Sequence, residues 1–479
     1  LCLLNLHNFR SKYPRSCLKI IFEIGSKFFR YRALFSMLRS YRWLLDTVRF
    51  PHFTVARSLA TVLAASVVVH AVMFGVFLVR GEGAFLRSND SVLYLTAAEN
   101  VKTYGVFSEH VGSPPVPSML HLPGYPMFLL FAKLIFALPW FPSLPALVGW
   151  AFIAAVQNIL SLATVAVFFR LVAEAWDRRA AFWSALLYGI EPFTAYQANL
   201  VMSDTAFVFL VVLGLHWWFR AWRTESPRWL AGSAVTLGLS VYFRSVGLYL
   251  VFLLTLWWLV AKLWRRATPR AISVGIVLPI IVGGMLAPWV VRNGRTFGLW
   301  RLSTQSNFVL MLYHANQALA LREGITPQAA RGQLIAEMEA QTRDERSRYQ
   351  FMGQRARQIL RQEWRAYVPL YFVKTVPFFL QSGWRDVAEV TGFSSHGGPV
   401  DLTGALLRRQ WGTVVSSLRR LDVPSVSHVL GAAAWMVVTG LAAIAWAVAA
   451  RYDRPRIPSV APMTVAVLLF ALLSSPLAH

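Results

Sequence analysis

The chain has 479 residues, of which 56% are hydrophobic and 14% charged, with a mean hydropathy of +0.49. That is too apolar for one or two soluble domains and too long for a single anchor, so the sequence reads as an all-α polytopic membrane protein. The formal charge of +25 does not point to nucleic acid, because the basic residues sit in short turns beside apolar runs, where the positive-inside bias places them. Cys2 and Cys17 both lie near the N-terminus, which excludes a disulfide framework or a Cys-based metal site from the body of the protein.

Residues 1–57 carry eleven Lys or Arg against the acids Glu23 and Asp46, the composition of a cytoplasmic segment before a first span. The sequence opens on Leu1, and Met37 begins a more ordinary basic lead-in, so residues 1–36 read as an upstream extension, an amphipathic surface segment or native N-terminal sequence. A first span is expected over 58–80, then an outer loop over 81–146 whose acids include Asp90, Glu99 and Glu109. Within that loop, 124–139 is apolar but too short to cross the roughly 30 Å of hydrocarbon, which suits an interfacial helix. Further spans are expected at 147–172, 180–199, 205–219, 229–243, 245–261 and 271–291. Every short turn assigned inside is basic: Arg178 and Arg179, then Arg220, Arg223 and Arg228, then Lys262, Arg265, Arg266 and Arg270.

Residues 292–426 are mixed and polar, with a helical pattern around 327–365, and read as an outer-face region. The apolar run 366–381 is expected to lie in the interface; were it to span instead, Arg408–Arg420 would move inside and the last hairpin would invert. That hairpin, 427–450 and 458–475, stops at His479 soon after a hydrophobic run and is expected to be incomplete.

Several polar residues at the outer ends of spans could carry chemistry. Asp90, in Ser88-Asn89-Asp90-Ser91, has two readings: the N-cap of a juxtamembrane helix, or a general base held at the membrane surface. Asp204 precedes the span at 205 and has the same two faces; together the acids could hold an acceptor hydroxyl or a hard divalent cation, so a metal ion at Asp90 and Asp204 stays open. Glu191 falls inside a predicted span, where an ionisable group is a functional hypothesis by default, and Pro192 beside it is a helix breaker. Arg244 and Arg292, at outer helix ends, are either snorkelling anchors or a guanidinium clamp for phosphate, with His121 as an assistant. No phosphate-cradling glycine loop, Ser-His-Asp set or zinc spacing is present.

Read in order, Asp90-Ser91-Val92-Leu93-Tyr94-Leu95, Tyr104-Gly105-Val106-Phe107-Ser108, Leu122-Pro123-Gly124-Tyr125-Pro126, the Pro192 segment leading to Ser203-Asp204, and Trp289-Val290-Val291-Arg292-Asn293 form a series. Over roughly 58–380 this series resembles the polytopic GT-C glycosyltransferases, specifically bacterial relatives of protein O-mannosyltransferases and of the lipid A aminoarabinose transferase. The resemblance implies a GT-C-like bundle of about 9–11 transmembrane helices with juxtamembrane helices on the outer face. It implies a polyprenyl-phosphate sugar donor, an envelope acceptor, and a site on the outer face of a bacterial inner membrane. Asp90 would be the base, Asp204 the second acid, Arg244, Arg292 and His121 the contacts to the donor phosphate, and Tyr94, Tyr125, Glu191 and Asn293 substrate contacts. His121-Leu122-Pro123 replaces the usual Pro-Pro or Lys-Pro-Pro, and Asp90 lacks the paired acid of the mannosyltransferases proper, so their acceptor does not carry over. A carrier with a charged cavity is the other class, but it would place charges mid-span and repeat its halves.

Overall fold

The computed structural model describes residues 54–136, 146–264, 274–380, 383–393 and 422–452, with Thr268, Ile272, Trp411, Gly412 and Val415. The basic segment 1–53 with both cysteines, most of 408–420 and the expected span 458–475 lie outside the described residues. Among the described residues all regular structure is helical.

The first helix, α1 (Val55–Arg80), has the inside-out pattern of a helix solvated by hydrocarbon. Val72 and Val79 face outward, 64% and 88% exposed, while Ser58, Ser66 and His70 are buried beside Val62, Met73 and Phe77. A short α2 (Glu82–Phe85) turns the chain into α3 (Asn89–Tyr104), which carries the first expected acid. Gly105 ends α3 in the left-handed region at φ 66, with its N–H bonded to Val101 O at 3.0 Å; a β-carbon would strain this turn. The Tyr104-Gly105 pair of the sequence series is therefore a helix stop.

After the loop 105–123 come α4 (Gly124–Phe136) and α5 (Ala146–Ala175). The expected span 180–199 is two helices, α6 (Arg178–Gly189) and α7 (Pro192–Asn199). The break has a local cause. Pro192 cannot donate to a preceding turn, and the Glu191 carboxylate takes the next free donors, Phe193 N at 2.6 Å and Thr194 N at 3.0 Å, as an N-cap. There follow α8 (Asp204–Thr224), α9 (Pro227–Phe243), α10 (Gly247–Trp264) and α11 (Val277–Phe297).

Helices α8 to α11 enclose a core that includes Trp218, Leu237, Leu254, Trp258 and Val282. Glycines let these helices approach closely: a β-carbon on Gly214 would meet Leu237, and one on Gly238 would meet Met285. A second core joins Phe77, Phe85, Tyr94, Tyr125 and Tyr196 from α1, α2, α3, α4 and α7.

Beyond α11, α12 (Gln305–Val309) runs through a π-helical turn, Leu310–Ala315, into α13 (Asn316–Glu323). Then come α14 (Pro327–Gln341) and α15 (Glu345–Gln362), so the helical pattern around 327–365 is real but interrupted, with Asp344 capping the second half from Ser347 N at 2.6 Å. These helices share a core of Met311, Leu319, Leu334, Met352 and Ile359. The apolar run near 366–381 forms α16 (Trp364–Leu380), followed by α17 (Trp384–Thr391) and α18 (Val423–Tyr452). Five described helices are long and apolar enough to cross a membrane, α1, α5, α8, α11 and the Val423–Leu441 part of α18, and α4 and α10 are shorter apolar helices. The chain is thus a multi-pass membrane protein.

Candidate active site

The chain of α3 begins at Ser88, whose Oγ accepts the Asp90 N–H at 3.3 Å. Ser88, not Asp90, is therefore the cap, and Asp90 stands inside the first turn, where a negative charge suits the positive end of the helix dipole. Among the described residues no donor bonds the Asp90 carboxylate.

Asp204 is the first residue of α8, one past Ser203, whose hydroxyl makes no cap bond to the helix. Its carboxylate is engaged: Arg244 Nη2 donates to Asp204 Oδ2 at 2.6 Å, and Arg244 Nε donates to Ser203 Oγ at 3.1 Å. Arg244 reaches them from an extended residue (φ −145, ψ 121) between α9 and α10, its own N–H bonded to Ser240 O at 3.0 Å. Asp90, Asp204 and Tyr94 all lie within electrostatic reach of this guanidinium. The expected convergence of Asp90, Asp204 and Arg244 is thus present, with one side of Arg244 spent on its acid.

Tyr94, one helical turn along α3 from Asp90, hydrogen-bonds the Ser203 side chain. Burial pushes its phenol up to about 12, so it stays a neutral donor. Its ring meets the rings of His121 and Tyr125 edge-on, with centroids 5.1 Å away in each case. His121 adds a cation source to the group. Both its backbone N (2.9 Å) and its Nδ1 (3.2 Å) stand against Glu109 Oε1, and Asp90 lies within electrostatic reach. Burial works against charging His121, but the Glu109 and Asp90 carboxylates together hold the imidazole above its ordinary pKa. Glu109 was legible in the sequence only as one more loop acid; its burial and its grip on His121 come from a loop path that no local pattern encodes.

That path is fixed by side chains. Asn100 Nδ2 donates to Ser108 O at 2.8 Å and His110 O at 3.0 Å, Glu109 N donates to Ser118 Oγ at 3.1 Å, and Thr304 N donates to Met119 O at 3.0 Å.

Arg292 is not part of the Arg244 group. Its Nη1 donates to Ser118 O and Asn293 Oδ1, each at 2.9 Å, and its Nη2 to Phe107 O at 3.3 Å; its guanidinium lies 4.8 Å from the Trp289 ring centroid and 5.1 Å from that of Phe297. Among the described residues no hydrogen bond or ion pair joins it to Asp90, Asp204 or Arg244. It lines a separate cavity of about 570 Å³ with Phe107, Pro123, Met127, Tyr242 and Trp289. The loop 105–123 contributes to both places: Glu109 and His121 to the first, the Phe107 and Ser118 carbonyls to the second.

The other expected contacts have structural partners. Tyr125 is fully buried and its OH donates to Gln157 Oε1 at 2.7 Å. Asn293, also fully buried, donates to Arg301 O at 2.8 Å and Leu302 O at 3.0 Å, closing the turn after α11. Glu191, besides capping α7, accepts Trp384 Nε1 at 2.6 Å and so ties α7 to α17. Among the described residues no three His, Cys, Asp or Glu side chains gather as a metal site, and Asp90 and Asp204 offer two acidic groups of which one is already paired.

Residues 123–289 match the model of the dolichyl-phosphate-mannose-protein mannosyltransferase family. No curated protein matches the chain. The match begins at the Pro123-Gly124-Tyr125 entry to α4 and ends at Trp289 in α11, so it takes in Asp204 and Arg244 and leaves out Asp90, well before it, and Arg292, just past its end. The helical, multi-pass chain thus carries at its centre a segment similar to a family of membrane glycosyltransferases of the GT-C type.

Proposed function

We propose that the protein transfers a sugar from a polyprenyl-phosphate donor to a hydroxyl of a cell-envelope lipid, glycan or protein, inverting the anomeric carbon, on the outer face of a bacterial inner membrane. Asp90 is the general base. It takes the acceptor proton as the acceptor oxygen bonds to the anomeric carbon, and the bond from that carbon to the phosphate oxygen breaks with its electron pair leaving on the lipid phosphate. The observation that carries this reading is the contrast between the two acids: the Asp90 carboxylate has no donor among the described residues, while Asp204 is bound to Arg244 at 2.6 Å.

Asp204 then acts through Arg244, fixing it in the field of Asp90. Arg244, Arg292 and His121 supply the positive charge for the departing phosphate, where fixed charge in a water-poor site acts most strongly. Arg292, above an apolar cavity walled by Phe107 and Trp289, suits a phosphate whose attached chain is a hydrocarbon. Tyr94 remains a hydroxyl donor toward sugar or acceptor, and Tyr125, Glu191 and Asn293 shape the site from behind. A divalent ion, if one takes part, would find Asp90 free to receive it. The basic inner turns support the assignment of faces.

The test is Asp90→Asn in purified protein supplied with a polyprenyl-phosphate sugar and an envelope extract. The expected outcome is loss of transfer by at least a hundredfold with donor binding retained. Turnover within threefold of wild type would remove Asp90 as the base. A wild-type protein that binds and releases the lipid-linked sugar without transfer would indicate a carrier.

A further inference from the structure

The residues of the candidate site come from chain segments far apart in sequence, and one pair of neighbours in α5 is bonded to three segments that lead to them: α1, the start of α4 and the end of α7. Gln157 is fully buried, and its side chain makes three hydrogen bonds. Its Oε1 accepts Tyr125 OH at 2.7 Å, and its Nε2 donates to Ala198 O at 3.1 Å and to Leu200 O at 2.6 Å. The next residue, Asn158, is also buried. Its Oδ1 stands 2.6 Å from His70 Nδ1, and its Nδ2 donates to Asn199 Oδ1 at 3.1 Å and to Ala154 O at 2.8 Å.

Each partner leads directly to a site residue. Tyr125 packs edge-on against Tyr94, four residues after His121. Ala198, Asn199 and Leu200 end α7, three to five residues before Ser203, which holds both Tyr94 and Arg244. His70 lies in α1, the rod that ends at Arg80 and leads to α3 and Asp90. Away from water, each of these polar groups would be unsatisfied if its partner moved, so the pair permits one register of α1, α4 and the 198–203 segment against α5. Apolar packing alone would tolerate small slides, because lipid tails are as apolar as leucine.

We propose that Gln157 and Asn158 are positioning residues for sugar transfer, setting the spacing of Asp90 from Asp204 and Arg244 through Tyr125, Leu200 and His70. This rests on the glycosyltransferase reading for its functional consequence, but the spacing itself can be measured without any reaction. In a Cys2→Ser, Cys17→Ser background, nitroxide labels at Val92 on α3 and Leu248 on α10, which are 55% and 39% exposed, report the distance between the Asp90 and Arg244 segments by double electron–electron resonance. Gln157→Leu is expected to broaden or split that distribution, and Tyr125→Phe to do the same less strongly.

In transfer assays normalised to folded protein, Gln157→Leu should lower kcat at least tenfold with donor KM within twofold. The double variant with Tyr125→Phe should be little worse than Gln157→Leu alone, because both remove the same bond. A merely structural role would reduce the yield of folded protein and leave both the distance distribution and kcat per folded molecule at wild-type values; that result would overturn the proposal. Were wild-type protein to show no transfer, the glycosyltransferase reading would fail, and an unchanged distance distribution in Gln157→Leu would separately end the positioning claim.

Discussion

Arg244 Nη2 lies 2.6 Å from Asp204 Oδ2, and the same guanidinium holds Ser203 Oγ through Nε. One cation therefore fixes both the first residue of α8 and the hydroxyl that Tyr94 uses. Arg244→Ala would leave Asp204 partly buried and unpaired and release Ser203 and Tyr94 together. Transfer should fall at least a hundredfold, and Arg244→Lys should recover only a small part of it, since a lysine cannot reproduce the two-sided geometry. Steady-state kinetics of the two variants, each normalised to folded protein, check this.

Arg292 has its own hydrogen-bond partners, apart from the Asp204–Arg244 pair, and predicts a different kinetic signature. Arg292→Ala removes a charge over the cavity of about 570 Å³ without touching the Asp204–Arg244 pair. Donor affinity should weaken by roughly ten- to a hundredfold, as expected on losing a charge-assisted contact to phosphate, while Arg244→Ala acts mainly on kcat. Binding of a fluorescent polyprenyl phosphate measures it; unchanged affinity would place the lipid phosphate elsewhere.

The His121–Glu109 pair makes stability depend on pH in a defined direction. The folded imidazole titrates above the unfolded one, so its contribution is fully present below the unfolded pKa of about 6.5 and is lost as pH rises through the raised folded value. The thermal midpoint in detergent should therefore fall between about pH 6 and the alkaline side of the folded pKa, and His121→Gln should flatten that part of the curve. A wild-type and a variant curve that run parallel would remove the pair as the cause.

Gly124 occupies the sharpest approach between helices near the site. A β-carbon there would stand 2.5 Å from Tyr242 O, so Gly124→Ala must part α4 from the end of α9, moving Tyr125 away from Arg244. Overpacking of this kind costs about 1–3 kcal/mol, and the loss should appear as a lowered thermal midpoint together with reduced turnover. A variant as stable and as active as wild type would show that the two helices have room to separate.

The spans were legible because hydrocarbon leaves the chain little choice. The runs expected at 58–80, 147–172 and 205–219 appear as helices Val55–Arg80, Ala146–Ala175 and Asp204–Thr224. The expected span 180–199 failed at Glu191-Pro192, where a capping carboxylate and a missing N–H overrode the apolar pattern. At the site, Asp90, Asp204, Arg244 and His121 could be assigned to one face from topology alone, and they meet. Glu109 and the separate seat of Arg292 could not be read, since both depend on the course of residues 105–123, set by bonds from Asn100, Ser118 and Thr304. The roles of Gln157 and Asn158 were equally silent, because two amides in an apolar run show their value only when their partners are in place.

The hydrogen bond from Trp384 Nε1 to Glu191, at 2.6 Å, joins residues 193 positions apart. Synthesis and insertion run from the N-terminus, so Glu191 enters the bilayer region long before its indole partner has been made. Until then the carboxylate has only the Phe193 and Thr194 amides of its own cap. The carboxylate gains its remaining donors only from the last helices made, Trp384 of α17 and Trp435 of α18, so the seat of α7 is completed at the end of synthesis.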